Sequence, residues 1–396
     1  MNFFPENIMK DKLNSFIHLN ENDILSKFDS KDLRHLFFLL EDYLISYKKK
    51  LNINDDNISF GLEIETEHAK TGLIKDFIQS KYPSWSYCGD SSLDNGIEVL
   101  SPILTNNEKS FEQLKNVCNF LRKNSFIDES ASAHIHVGAQ IYNNCASVYL
   151  LFLIWFAYEK VIYRFSYGEH NAGRKELYYY ADSMLYNAKD LVDIFESSGD
   201  YAKYEHEFYK YIQKIEGYKS LNFTNVSQFG KKEEGNTIEF RCPNGTLNEV
   251  IWQNNLNFFL SLMNYAKDGY NNVDCEYYVN KANDNIDSDY DYSELYLKDA
   301  LELADLIFKT NQDKIDFLKQ IIPVRGRASV FTVVRLLSYE GCFFQIPNSS
   351  LYGAAGQRQI RSDRFDPRPC FPLLIHPVMQ IEIHQLGPVR QLAVFI

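Results

Sequence analysis

Several familiar signatures are missing from this chain, and each absence excludes something. There is no C-x-x-C pair, and the seven cysteines, at 88, 118, 145, 242, 275, 342 and 370, are scattered and odd in number. That pattern fits reduced thiols rather than a disulfide framework. There is no G-x-x-x-x-G-K-[ST] loop and no glycine-rich dinucleotide fingerprint. A nucleotide site would therefore have to rely on metal ions and a sheet rather than on a backbone phosphate cradle. No basic run exceeds Lys48 to Lys50, the formal charge is -12, and the sequence pI is 5.3, which disfavours a nucleic-acid partner. A small polyanion could still bind, because ions and a few local cations set the field in such a site. The opening MNFFPENIMKDKLNSF lacks the charged start and apolar run of a signal peptide. The longest apolar run, Val148 to Tyr158, stops at Glu159 and Lys160, short of the roughly 20 residues that span a bilayer. The expectation is a cytoplasmic protein without a membrane partner.

The chain has 396 residues, 45% hydrophobic and 15% aromatic, which is ample for a globular core. Residues 1–57 read as a helical accessory segment, with Leu33, Phe37, Leu40 and Tyr43 at helical spacing. From residue 58 to 268 short strand patterns alternate irregularly with helical ones. ISFGLEIETE, WSYCGD, GIEVLSP, SAHIHVGAQ, NFTNVSQF and NTIEFRCP predict strands. Glu108 to Lys123, Ala146 to Phe165, Tyr201 to Ile215 and Leu247 to Tyr265 predict helices. The strands are too short and polar-edged for a buried parallel sheet, so the expected class is α+β with a largely antiparallel sheet flanked by helices. Residues 269–351 read as a helical C-terminal region, entered through the acidic NDNIDSDYDYSE and containing a helix from Leu295 to Lys309. Residues 352–396 form a Pro- and Arg-rich tail of different composition.

Four segments could carry chemistry. In FGLEIETE, Glu63 and Glu65 project from one strand face, roughly 6 to 7 Å apart. The same alternation describes the wet face of any half-exposed strand, and Leu62 and Ile64 compete for the inner side. In DSSLDNGIEVLSP, Asp90 and Glu98 add hard oxygen donors of the kind magnesium prefers, although the segment alone reads as a hairpin turning at Asn95-Gly96 with Glu98 in solvent. AHIHVG sets His134 and His136 on one strand face. One histidine there would be a hydrogen-bonded core residue; a pair raises metal ligation or phosphate binding. Zinc is the rival metal, but no Cys or His cluster accompanies them. TIEFRCPNGT sets Glu239 beside Arg241, either a structural ion pair or a metal carboxylate next to a guanidinium that grips phosphate.

In this order, over Phe60 to Leu247, the four segments resemble the amidoligase family and, more distantly, glutamine synthetase and glutamate-cysteine ligase. The resemblance implies a sheet forming a funnel-shaped active site, with ATP entering one end, a carboxylate the other, and magnesium ions between them. It implies one ion on Glu65 and Glu98 with Asp90, and a second on Glu63, His134 and Glu239. His136 would lie near the ATP phosphates and Arg241 would clamp phosphate. Where the family has arginines before the final strand, this chain offers Tyr218, Lys219 and Asn222, and Arg174 is matched to a mid-domain substrate arginine.

The implied reaction is ATP-dependent joining of a carboxylate and an amine, small-molecule or peptide, through an acyl phosphate. Such a transfer asks for charge neutralisation more than covalent help, and an acidic residue near the second substrate would take the amine's proton. The alternatives are a metal-dependent hydrolase using His134 and His136, or a binding scaffold on the same fold. A homo-oligomer is compatible with either.

Overall fold

A computed structural model describes residues 40, 43–53, 55, 58–197, 201–215, 217–269, 275–286 and 296–322. Leu33, Phe37, most of the acidic connection and the 352–396 tail lie outside these residues.

At the centre is β1 (Ser59–Thr66). It pairs along one side with β3 (Ile97–Leu100) and then β4 (Leu104–Thr105), and along the other with β5 (Ala133–Gly138). β2 (Ser86–Cys88) extends the sheet beyond β3, while β7 (Thr237–Phe240) and the two-residue β6 (Leu221–Asn222) extend it beyond β5. Every pairing is antiparallel, so the α+β class is as expected, and an antiparallel sheet of this kind can leave one face uncovered by helices.

Which face is covered follows from residue parity. Phe60, Leu62 and Ile64 of β1, Ile97 and Val99 of β3, Ala133, Ile135 and Val137 of β5, and Ile238 and Phe240 of β7 are all buried on one side. Helices α2 (Glu108–Asn124), α3 (Cys145–Ser166) and α7 (Glu249–Gly269) supply the matching aromatics. Phe60 stacks on Phe111 at 6.1 Å, Trp155 on Phe240 at 5.8 Å and Phe240 on Phe259 at 4.3 Å between ring centroids. Asn107 and Asn144 cap α2 and α3 by accepting from the N–H of Ser110 and Ser147, at 2.9 Å each, which fixes where these helices start.

All 22 residues of α3 are buried. By length and composition it could cross a membrane, yet it is enclosed by α7, α8 (Cys275–Ile286), α9 (Leu297–Ile307) and α10 (Asn311–Ile321). A helix apolar all round has to be buried somewhere, and here the protein itself does it. Leu40, Tyr43, Leu51 and Ile53 join the same core as Phe317 and Ile321. These chain-distant segments meet through a buried polar seam. Lys48 Nζ lies 2.7 Å from both Asp313 and Asp316, Gln253 accepts from Lys48 N at 2.9 Å, and Asn257 donates to Asp313 at 3.0 Å.

Helices α1 (Thr71–Lys81), α4 (Leu177–Tyr180) and α5 (Ala188–Ser197) are additions to the sequence reading, as is β4, while α8 and α10 lie in the stretch read as helical without individual bounds; the 201–215 helix is α6 (Tyr201–Ile212). NFTNVSQF, expected as a strand, pairs only at Asn222. Asparagines inside and just beyond it satisfy its backbone locally: Asn222 accepts from Thr224 N at 2.9 Å, while Asn236, ahead of β7, accepts from Ser227 N at 2.9 Å and donates to Gln228 O at 2.7 Å. Side chains that offer the main chain such partners compete with a sheet ladder. Cys88, Cys118, Cys145 and Cys242 are not joined in disulfides.

Candidate active site

The parity that buries Leu62 and Ile64 sends Glu63 and Glu65 to the other face, and the antiparallel register aligns their neighbours with them. Glu65 is opposite Glu98, Glu63 opposite His134, His136 opposite Glu239, and Glu239 opposite Asn222. Strands about 4.8 Å apart, with same-face residues about 6 to 7 Å apart along each, place each of these groups within reach of those on the neighbouring strand. Glu98, expected in solvent if the hairpin stood alone, is half-buried here. Its turn is tight: a Cβ on Gly96 would come 2.4 Å from Thr66 O and 2.5 Å from Leu93 Cβ.

Glu63 bridges the two imidazoles, with Oε2 2.8 Å from His134 Nδ1 and Oε1 2.8 Å from His136 Nε2. Glu239 Oε1 is 3.4 Å from His134 Nδ1 and 4.0 Å from His136 Nε2. The donors of Glu63, His136 and Glu239 all fall within 4.8 Å of one another. His136, implied on the phosphates, thus sits as near Glu63 as His134 does. A second set, Glu67, His68 and Asp128, closes equally well where β1 ends.

Each carboxylate is also held from behind. Asn222 Nδ2 donates to Glu239 Oε2 at 2.7 Å and Arg241 Nη1 to Glu239 Oε1 at 2.5 Å. Ser132 N donates to Glu65 at 2.6 Å, Ser132 Oγ is 2.9 Å from His134 Nε2, and Thr237 Oγ1 is 3.1 Å from His136 Nδ1. The Cys88 thiol donates to Glu98 at 2.9 Å. Partners of this type fix orientation and tune basicity.

Crowded carboxylates at a half-dry face perturb one another. Burial opposes ionisation of Glu63, but hydrogen bonds from both histidines outweigh it and hold its carboxyl well below the usual range. Burial, with Glu63 and Glu65 close by, pushes Glu98 up to about 7. Burial would lower His136, yet the Glu63 and Glu239 carboxylates raise it. Burial and then Glu98 push Cys88 up to about 12, so it stays a thiol.

The remaining sequence-derived residues lie further out. Asp90 is in the β2–β3 loop, accepting from Ser92 N and Oγ at 2.7 Å each. Lys219 pairs with Asp182, donates to Ser183 O at 3.3 Å and sits over Tyr186, touching none of the clustered acids. Arg174 is buried and donates to the carbonyls of Arg241 (3.0 Å), Cys242 (3.2 Å) and Pro243 (2.9 Å), strapping the exit of β7. Its desolvated guanidinium falls to about 10. Ser132, Thr237 and Cys88 were not legible as site residues, since a lone hydroxyl or thiol at a strand end carries no sequence signal.

The donor set suits a hard divalent cation: carboxylates from β1, β3 and β7 converge with two imidazoles, and among the described residues Arg241 is the one permanent cation in contact with them. An α+β protein with a cation-suited carboxylate–histidine face on its sheet is the class that fold and site define. Residues 72–263, just under half of the chain, match the family model described as "putative amidoligase enzyme", so this stretch is similar to amidoligases. The match takes in Asp90, Glu98, His134, His136, Arg174, Lys219, Glu239 and Arg241, and begins just after the strand that carries Glu63 and Glu65. No curated protein matches the chain.

Proposed function

We propose that this protein joins a carboxylate to an amine at the expense of ATP, with magnesium ions on the acidic face of the sheet and that face as the wall of a funnel. The convergence of Glu63, His136 and Glu239 to within 4.8 Å from three different strands carries the reading. The missing phosphate-binding loop supports it, since a ligase of this kind would handle nucleotide through ions held on a sheet.

In this reading Glu65 and Glu98, with Asp90 at the rim, hold one ion, and Glu63, His134 and Glu239 hold another. Bound there, the ions would neutralise phosphate charge and polarise the transferring phosphoryl group. The chain's own residues do the positioning. Glu63 is kept ionised by its two imidazole partners, so it is ready to ligate at neutral pH. Asn222 holds Glu239 from the far edge of the sheet, and the Ser132 amide holds Glu65. Arg241, steadied by Glu239 and by Tyr180 O at 3.1 Å, is the guanidinium that would grip a phosphoryl or carboxylate oxygen.

The test is ADP release by the purified full chain with magnesium and ATP, across a panel of carboxylates and amines, beside Glu63→Ala. Substrate-stimulated ADP release that the substitution abolishes is expected. Absence of nucleotide binding under every condition, with amide or ester hydrolysis instead, would overturn the ligase and favour a metal hydrolase.

A further inference from the structure

Arg241 has a second neighbourhood, on the side away from the carboxylates. Its guanidinium carbon lies 5.8 Å from the centre of the Tyr218 ring, and its Nη2 has no protein acceptor among the described residues. Tyr179 and Tyr218 lie nearly parallel, 24° between planes and 6.3 Å between centroids. Tyr180 stands edge-on to both, at 4.9 and 6.1 Å. Tyr179 is 67% exposed and Tyr218 55%. None of the three phenol oxygens bonds to protein among the described residues. Aromatic rings left wet in one group mark a contact surface.

The group is stiff as well as exposed. Asp182 N donates to Tyr218 O at 2.7 Å and Ser220 N to Asp182 O at 2.8 Å, while Lys219 pairs with Asp182. Arg174 ties the same stretch to the carbonyls that follow β7. Tyr179 also lines a cavity of about 330 Å³ with Arg174, Glu176 and Leu177. That volume is at the small end of ligand sites and suits one ring-sized group. The position is informative too. Arg241 follows β7 at the end away from Thr237, and its Nε donates to the carbonyl of Tyr180, so the tyrosines flank that end of the strand.

We infer that the tyrosine platform receives the non-reacting part of the carboxylate substrate, and that this part is a ring presenting a flat apolar face. Arg241 Nη2 would take an oxygen of the attached carboxylate while the ring lies against Tyr179 and Tyr218. The inference rests on the ligase reading only in naming the occupant as that reaction's acid.

Saturation-transfer NMR on the full chain with magnesium tests it, using N-acetyl-L-phenylalanine and N-acetylmuramic acid as ring-bearing acids and N-acetyl-L-alanine as the ringless one. At least one ring-bearing acid should bind roughly tenfold more tightly than the ringless acid, as expected for stacking on tyrosine, with saturation on its ring protons. Which one does so says whether the ring is aryl or sugar. Tyr218→Ala should remove the preference, Tyr218→Phe should keep it, and ATP affinity should not move. Tyr179→Ala serves where Tyr218→Ala does not fold. Equal binding of all three acids, binding indifferent to Tyr218→Ala, or a loss of ATP affinity in place of acid affinity would each overturn the inference. Ring-dependent binding in a protein that neither binds ATP nor releases ADP would uphold the platform and sink the ligase.

Discussion

Glu239 shows what the surroundings of a single residue contribute. Asn222 and Arg241 hold its two oxygens, so it meets the histidines in one orientation. Asn222→Ala should therefore lower magnesium affinity or ADP release by roughly 10- to 100-fold while leaving the fold intact, measured by calorimetry and circular dichroism; wild-type affinity in the variant would show that Glu239 needs no such partner. Glu159 is the opposite kind of acid, buried in α3 and part of neither cation-suited group found among the described residues. It accepts from Trp155 Nε1 at 3.0 Å and Met184 N at 2.7 Å, yet burial still pushes its carboxyl up. A carboxyl raised in the folded state favours folding most below its unfolded value of about 4.3, and that advantage drains away as pH rises through the folded value. Glu159→Gln removes the titration. Its Tm relative to wild type should climb between pH 4.5 and pH 8, and parallel Tm curves would contradict this account.

β1 divides two jobs between its two faces, and substitutions along it should separate them. Ile64→Ala opens a hole under the helices and should cost about 2 to 5 kcal/mol, read by denaturant unfolding. Glu65→Gln, one residue on, should leave stability within about 0.5 kcal/mol and abolish magnesium-dependent ADP release. A variant of either kind that did both would mean the faces are not independent. The sequence contained this strand, its acids and its period of two, and it placed β3, β5, β7, α2, α3 and α7 to within a few residues. It could not say which face is buried, because Leu62 and Ile64 alternate with Glu63 and Glu65 without bias. Phe111, Trp155 and Phe259 settle that from helices distant in the chain. Short amphipathic helices such as α1 and α5 escaped notice because polar residues dilute their periodicity. The last pieces of the site, Ser132 and Thr237, are defined by register alone.

At the scale of the whole molecule, the first and last described segments are joined by a buried ionic seam. Lys48 faces Asp313 and Asp316 with its side chain only 15% exposed and theirs 3% and 0%. Removing one member strands the others, so Lys48→Ala should cost about 3 to 5 kcal/mol and leave α10 open to proteolysis, whereas loss of an exposed pair such as Lys49 with Glu108 should leave stability nearly unchanged. Equal, small losses for both would mean that water reaches the seam. The order in which the chain leaves the ribosome gives α3 a further significance. This helix is complete at Ser166, but α10, the last helix to enclose it, ends at Ile321. At roughly 5 to 20 residues per second the interval is about 8 to 30 seconds. For that time the nascent chain carries a helix of bilayer-spanning length and composition without its full wrapping.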